Sequence, residues 1–152
     1  MTQFILDAKF DIADENNYKE LGGKYIGKTA RLVVRTPIDL NMAKEMNILL
    51  MDLGLKAEQI LIDTDIGGLG YGLEYGYSMI EKVKLSDDKY LQMPVISYVV
   101  EETLKSKEAK TDARYALFAE ITAASAAAAA GTDIVVMHDS KAQQVMERVW
   151  QN

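Results

Sequence analysis

Three aspartates, Asp39, Asp63 and Asp65, follow short apolar runs. Their carboxylates suit three tasks: binding a hard cation, hydrogen-bonding a polar heterocycle, or capping a helix. Asn41 beside Asp39 is itself a good N-cap, so capping accounts for one of this group. Arg35, at the end of another run, suits an ion pair with Asp63 or an anionic ligand. Asp63 facing His138 would form a base with its orienting partner. Asp7, Lys9 and Asp11 follow the first run, and Tyr98 closes the fourth if that strand ends early. The glycine cluster Gly67-Gly68-Leu69-Gly70-Tyr71-Gly72 lets backbone approach a ligand or an anion. From Gly67 it reads Gly-x-x-Gly-x-Gly, and it follows the third run rather than the first. That order favours a tight strand-to-helix turn over a dinucleotide loop. No serine or threonine stands in a nucleophile-elbow context.

The elements that carry these residues are legible from periodicity. Phe4–Leu6, Ala30–Val34, Ile60–Ile62, Pro94–Val100 and Asp133–Met137 are near-continuous apolar runs, as strands buried on both faces read. Met42, Met46, Leu49, Leu50 and Leu53 share one helical face, and Gly54 follows as a stop. Leu73, Tyr77 and Ile80 predict a second helix. Asp112–Ala130, stopped by Gly131, predicts a third. Ala142, Val145, Met146 and Val149 predict a fourth with those four side chains on one face. A short helix lies within Asp14–Tyr25. The alternation predicts an α/β fold of parallel β/α units with right-handed crossovers. Two architectures fit: an open doubly wound sheet, or part of a (β/α)₈ barrel, which needs about 250 residues. In both, ligands meet the carboxyl ends of the strands. Residues 1–152 read as one β/α domain.

Composition removes several classes. The 152 residues hold 17 Lys and Arg against 23 Asp and Glu, a net charge of −6. Such a chain is poorly suited to gripping nucleic acid or an anionic membrane. It has no cysteine and one histidine. Disulfides, thiolate zinc sites, a cysteine nucleophile, a cysteine-ligated iron–sulfur cluster and a two-histidine protease motif are excluded within it. The start of the chain lacks a basic, then apolar, export pattern, and the alanine-rich stretch is too weakly apolar to span a bilayer. The expected location is cytoplasmic.

Three ordered blocks resemble a known family. They are Arg35-Thr36-Pro37-Ile38-Asp39-Leu40-Asn41, Leu69-Gly70-Tyr71-Gly72-Leu73-Glu74-Tyr75 and Leu91-Gln92-Met93-Pro94-Val95-Ile96. They resemble the small (delta) subunit of the corrinoid iron–sulfur protein of the carbon monoxide dehydrogenase/acetyl-CoA synthase system. The resemblance implies five strands corresponding to the C-terminal half of a TIM (β/α)₈ barrel. It implies a non-catalytic subunit that caps a cobalamin-type corrinoid shared with a large subunit, which carries the cluster. It places Arg35, Thr36, Asp39, Asn41, Asp63, Thr64, Asp65, Gly67, Gly68, Tyr71, Tyr98 and His138 at the cofactor. A half-barrel has exposed strand edges, so the large subunit, or a second copy completing the barrel, is the expected partner. The alternatives are a pterin-dependent methyltransferase-like domain using Asp39, Asn41, Asp63 and Asp65, and a dimerising scaffold.

Overall fold

The computed structural model describes residues 1–36, 39–68 and 72–150. Six strands are β1 (Gln3–Leu6), β2 (Ile12–Ala13), β3 (Leu32–Arg35), β4 (Ile60–Asp63), β5 (Ile96–Tyr98) and β6 (Ile134–Met137). The helices are α1 (Tyr18–Gly23), α2 (Leu40–Leu53), α3 (Leu73–Leu85), α4 (Val100–Thr103), α5 (Lys107–Thr111), α6 (Ala113–Ala130) and α7 (Ser140–Trp150).

Among the described residues, every strand pairing is parallel. β2, β3 and β4 form one ladder, and β5, β6 and β1 form another. A bridge between Ile62 and Val95 joins the two. The resulting spatial order is β2-β3-β4-β5-β6-β1. Consecutive strands are neighbours from β2 to β6, as in a barrel wall. The first strand then comes in beside the last.

Side chains alternate between two faces. Leu32, Val34, Ile60, Ile62, Val135 and Met137 pack outward against helical residues such as Met46, Leu50, Ile80 and Met146. Val33, Leu61, Ile96, Tyr98, Ile134 and Val136 form a separate inner cluster, covered by Ile5, Ala8, Phe10 and Ile12. No described helical residue belongs to that inner cluster. A doubly wound sheet would carry helices on both faces. The barrel-like reading therefore holds and the open-sheet alternative falls.

Local chemistry sets the element ends. Asp39 accepts hydrogen bonds from the backbone of Asn41 and Met42 at the start of α2. The N-cap is thus Asp39, and Asn41 is an exposed residue of the first turn. Asp112 caps α6 in the same way. The alanines of α6 bring that helix close to the sheet, and Ala123, Ala124 and Ala127 are fully buried. Three expectations change. The strand expected over Pro94–Val100 is shorter, because Val100 already opens α4. β2 is a sixth strand of two residues, too short for a periodic signal. On α7, Ala142 and Met146 are buried, but Val145 and Val149 face solvent.

Candidate functional site

The inner-face alternation brings Arg35, Asp63 and Tyr98 together where β3, β4 and β5 end. Arg35 and Asp63 are register partners. The Arg35 Nε donates to Asp63 Oδ2 at 2.7 Å. The other Asp63 oxygen accepts from the Asp65 backbone at 2.8 Å. The outer guanidinium nitrogens reach Glu101 on α4, at 3.1 and 3.2 Å. The guanidinium carbon lies 5.2 Å from the centre of the Tyr98 ring, a cation–π arrangement. One cation is thereby clamped between two carboxylates and a ring.

Burial grades these groups. The Asp63 side chain is 1% exposed and Arg35 is 24% exposed. Desolvation pushes the Asp63 carboxyl up to about 6, with Arg35 and the Asp65 N–H pulling the other way. Burial likewise pushes the Tyr98 phenol up to about 12, with Asp63 adding to it. The Thr64 hydroxyl is buried and has no hydrogen-bond partner among the described residues, whereas the Phe10 backbone N–H approaches the Tyr98 hydroxyl and opposes the rise in its pKa. Asp65 is in the left-handed region at φ +58°, uncommon for a non-glycine residue. A cavity of about 210 Å³ opens beside this cluster, lined by Asp14, Glu15, Asn16, Arg35, Thr36 and Asp65.

The other expected residues divide. Thr36 is buried, and its N–H donates to the Asp63 carbonyl at 3.2 Å. Gly68 packs against the Glu102 backbone; a Cβ there would sit 3.1 Å from the Glu102 carbonyl carbon. Gly67 lies in the same loop, and Gly72 opens α3 at φ +89°. Residues 69 and 70, the middle of the glycine cluster, lie outside the described residues, as does Tyr71. Asp39 and Asn41 are engaged at the start of α2 rather than in the Arg35 cluster.

His138 does not face Asp63. Its Nδ1 lies 2.8 Å from Asp7 Oδ1 at the end of β1, forming a second cluster. That contact raises the imidazole pKa above its ordinary value. Asp7 is also left-handed, at φ +46°. Beneath this pair, the buried Glu120 of α6 accepts hydrogen bonds from the backbone N–H groups of His138 and Asp139, at 2.9 and 3.0 Å. Burial raises the Glu120 pKa, and the two N–H groups oppose it. Sequence reasoning missed Glu101 and Glu120. Glu120 carried a signal, as the one charged residue between Arg114 and Asp133. Glu101 carried one too, as the first residue after the Pro94–Val100 run.

The arrangement defines a class: a barrel-like wall of parallel strands with a polar site at its carboxyl ends. Solved structures share that fold. The chain matches a dihydropteroate synthase from Yersinia pestis, solved with a pterine–sulfa conjugate, with a TM-score of 0.62 and 13% identity. It covers 91% of this chain and 58% of that one. It also matches dihydropteroate synthase from Anaplasma phagocytophilum with bound 6-hydroxymethylpterin-monophosphate, with a TM-score of 0.52 and 16% identity, over 91% of this chain and 60% of that one. The chain belongs to the CO dehydrogenase/acetyl-CoA synthase delta subunit family, whose pattern matches residues 10–150. It is 34% identical over 64 residues to the acetyl-CoA decarbonylase/synthase complex subunit delta of Methanopyrus kandleri. That stretch is 40% of this chain and 16% of the relative. It is 40% identical over 62 residues to the subunit of the same name from Methanothermobacter thermautotrophicus, 39% of this chain and 16% of that one. The matched stretches are thus about a sixth of each relative's length. Among the described residues, no helix is long and apolar enough to cross a membrane.

Proposed function

We infer that this chain is a non-catalytic cap for a corrinoid, presenting its strand carboxyl ends to a cofactor held by a larger partner subunit in methyl-group transfer. The observation that carries this reading is the Arg35 clamp. Arg35 and Asp63 neutralise each other at hydrogen-bond distance, and both Asp63 oxygens are engaged. Groups held so firmly support positioning a ligand rather than exchanging protons with one. The surroundings fit the rim of a corrinoid. A corrin ring is fringed by carboxamides, which donate hydrogen bonds. The cavity beside Arg35 offers the acceptors Asp14, Glu15, Asn16 and Asp65. At about 210 Å³ it takes one such arm and not a macrocycle, in keeping with a cap. The unpartnered hydroxyl of Thr64 adds a polar group at the same strand ends. When bound, the corrinoid supplies the cobalt that carries the methyl group. This chain's residues position it and exclude water.

Visible spectroscopy tests the reading. Aquacobalamin and cob(II)alamin are titrated with the chain, alone and with a corrinoid iron–sulfur large subunit. A saturable spectral change, weakened about tenfold or more by Asp65→Ala, supports it. No perturbation in either cobalt state, with or without the large subunit, overturns it. The methyl-pterin reading draws on the acidic lining of the same cavity. Calorimetric heat with methyltetrahydrofolate, absent with cobalamin, would favour it instead.

A further inference from the structure

The outer helical layer carries a second surface, remote in kind from the strand-end site. Between α3 and α6 runs a groove of about 540 Å³, lined by Leu73, Glu74, Tyr77, Ser78, Glu81 and Ala126. Its floor is apolar and its rim is acidic. On the opposite flank of α6 lies α7. There Val145 and Val149 are exposed at 41% and 60%, although the spacing predicts them as core. Lys141 and Arg148 are exposed on the same stripe. At 100° per residue, these four lie on one side of the buried pair Ala142 and Met146. Gln143, which bonds the β1 backbone at Phe4, lies on the other. The basic, apolar stripe therefore faces α6. Between groove and stripe, α6 turns outward Phe118, Thr122, Ala126 and Ala129, mostly small.

Charge and spacing match across this surface. Glu74 and Glu81 are seven residues apart, two helical turns, and so are Lys141 and Arg148. Glu74 is the second residue of α3 and Lys141 the second of α7, and both helices start from strand carboxyl ends. None of the four makes an ion pair among the described residues. A two-fold interface requires a patch that complements itself.

We propose that the α3–α6–α7 face is a homodimer interface, in which the Lys141–Val145–Arg148–Val149 stripe of one copy fills the α3/α6 groove of the other. A two-fold axis along α6 sets Glu74 against Lys141 of the second copy and Glu81 against its Arg148. The small outward residues of α6 let the copies approach at the axis, and Phe118 adds apolar area. The strand edges and the strand-end site stay free, so this pairing stands or falls apart from the corrinoid reading.

Sedimentation velocity over a concentration series tests it. The full chain is expected to be a dimer at about 10–100 μM. Two variants isolate the contact: Lys141→Glu with Arg148→Glu, and Glu74→Lys with Glu81→Lys. Each alone should raise the dimer dissociation constant about tenfold or more, and an equimolar mixture should restore a dimer of mixed composition. Circular dichroism confirms that each variant is folded. Single substitutions, Val149→Ser and Arg148→Gln, replace any variant that is not, with the same direction expected. A monomeric wild type overturns the proposal. So does a dimer indifferent to both sets of changes, or a mixture that stays monomeric.

Discussion

Two charged pairs stand at strand carboxyl ends, and solvent separates them more than distance does. Arg35 and Asp63 meet at 2.7 Å with the carboxylate 1% exposed. His138 and Asp7 meet at 2.8 Å with side chains 63% and 60% exposed. In water-like surroundings the attraction is screened and offset by side-chain entropy. In the interior each charge depends on its partner, because losing one strands the other without hydration. The first pair is therefore part of the fold and the second is a surface tie between β6 and β1.

The largest break in this contrast comes from Arg35→Met, which leaves Asp63 buried without a counter-charge. It should cost about 3 kcal/mol, read as a lower urea midpoint at unchanged slope. Next is Glu120→Ala, which strips the His138 and Asp139 N–H groups of their acceptor and should cost about 2 kcal/mol. A loss below half that size would mean that solvent replaces the carboxylate at this turn.

Acidity sharpens the comparison further. Asp63 binds its proton more tightly in the folded chain, with its pKa raised from 3.8 to about 6. Its contribution is therefore full below 3.8 and is lost as pH rises through about 6. Denaturation midpoints between those limits should fall with pH, and Asp63→Asn should flatten that slope. The His138 pKa is raised from 6.5 by Asp7, so its contribution is also lost as pH rises, but in a higher window. His138→Gln is the smallest effect, within about 0.5 kcal/mol, because an exposed pair is screened. A larger loss would place the β6–β1 tie among the supports of the fold.

Much of the scaffold was legible because its signals are local. Val and Ile runs marked five strands, and Gly54 and Gly131 stopped helices with φ of +130° and +111°. Family blocks around Arg35, Leu73 and Pro94 identified the barrel relationship that the fold and the residue 10–150 match support. The Arg35–Asp63 pair was legible as one option among several, since both residues close apolar runs. The Asp63–His138 pair was not formed, because β5 lies between β4 and β6.

The amino-acid sequence by itself determined the alternation of strands and helices, the absence of thiol chemistry and the polar residues at the strand ends. Those follow from residue type and short-range spacing. Only the tertiary structure decided that Glu101 completes the Arg35 clamp, that Glu120 holds the turn after β6, and that Phe10 helps to cover the inner cluster. It also turned Val145 and Val149 outward on a helix whose periodicity alone would bury them. Each depends on which elements become neighbours. That is settled by burial of the two sheet faces over long sequence separations, and no local pattern encodes it.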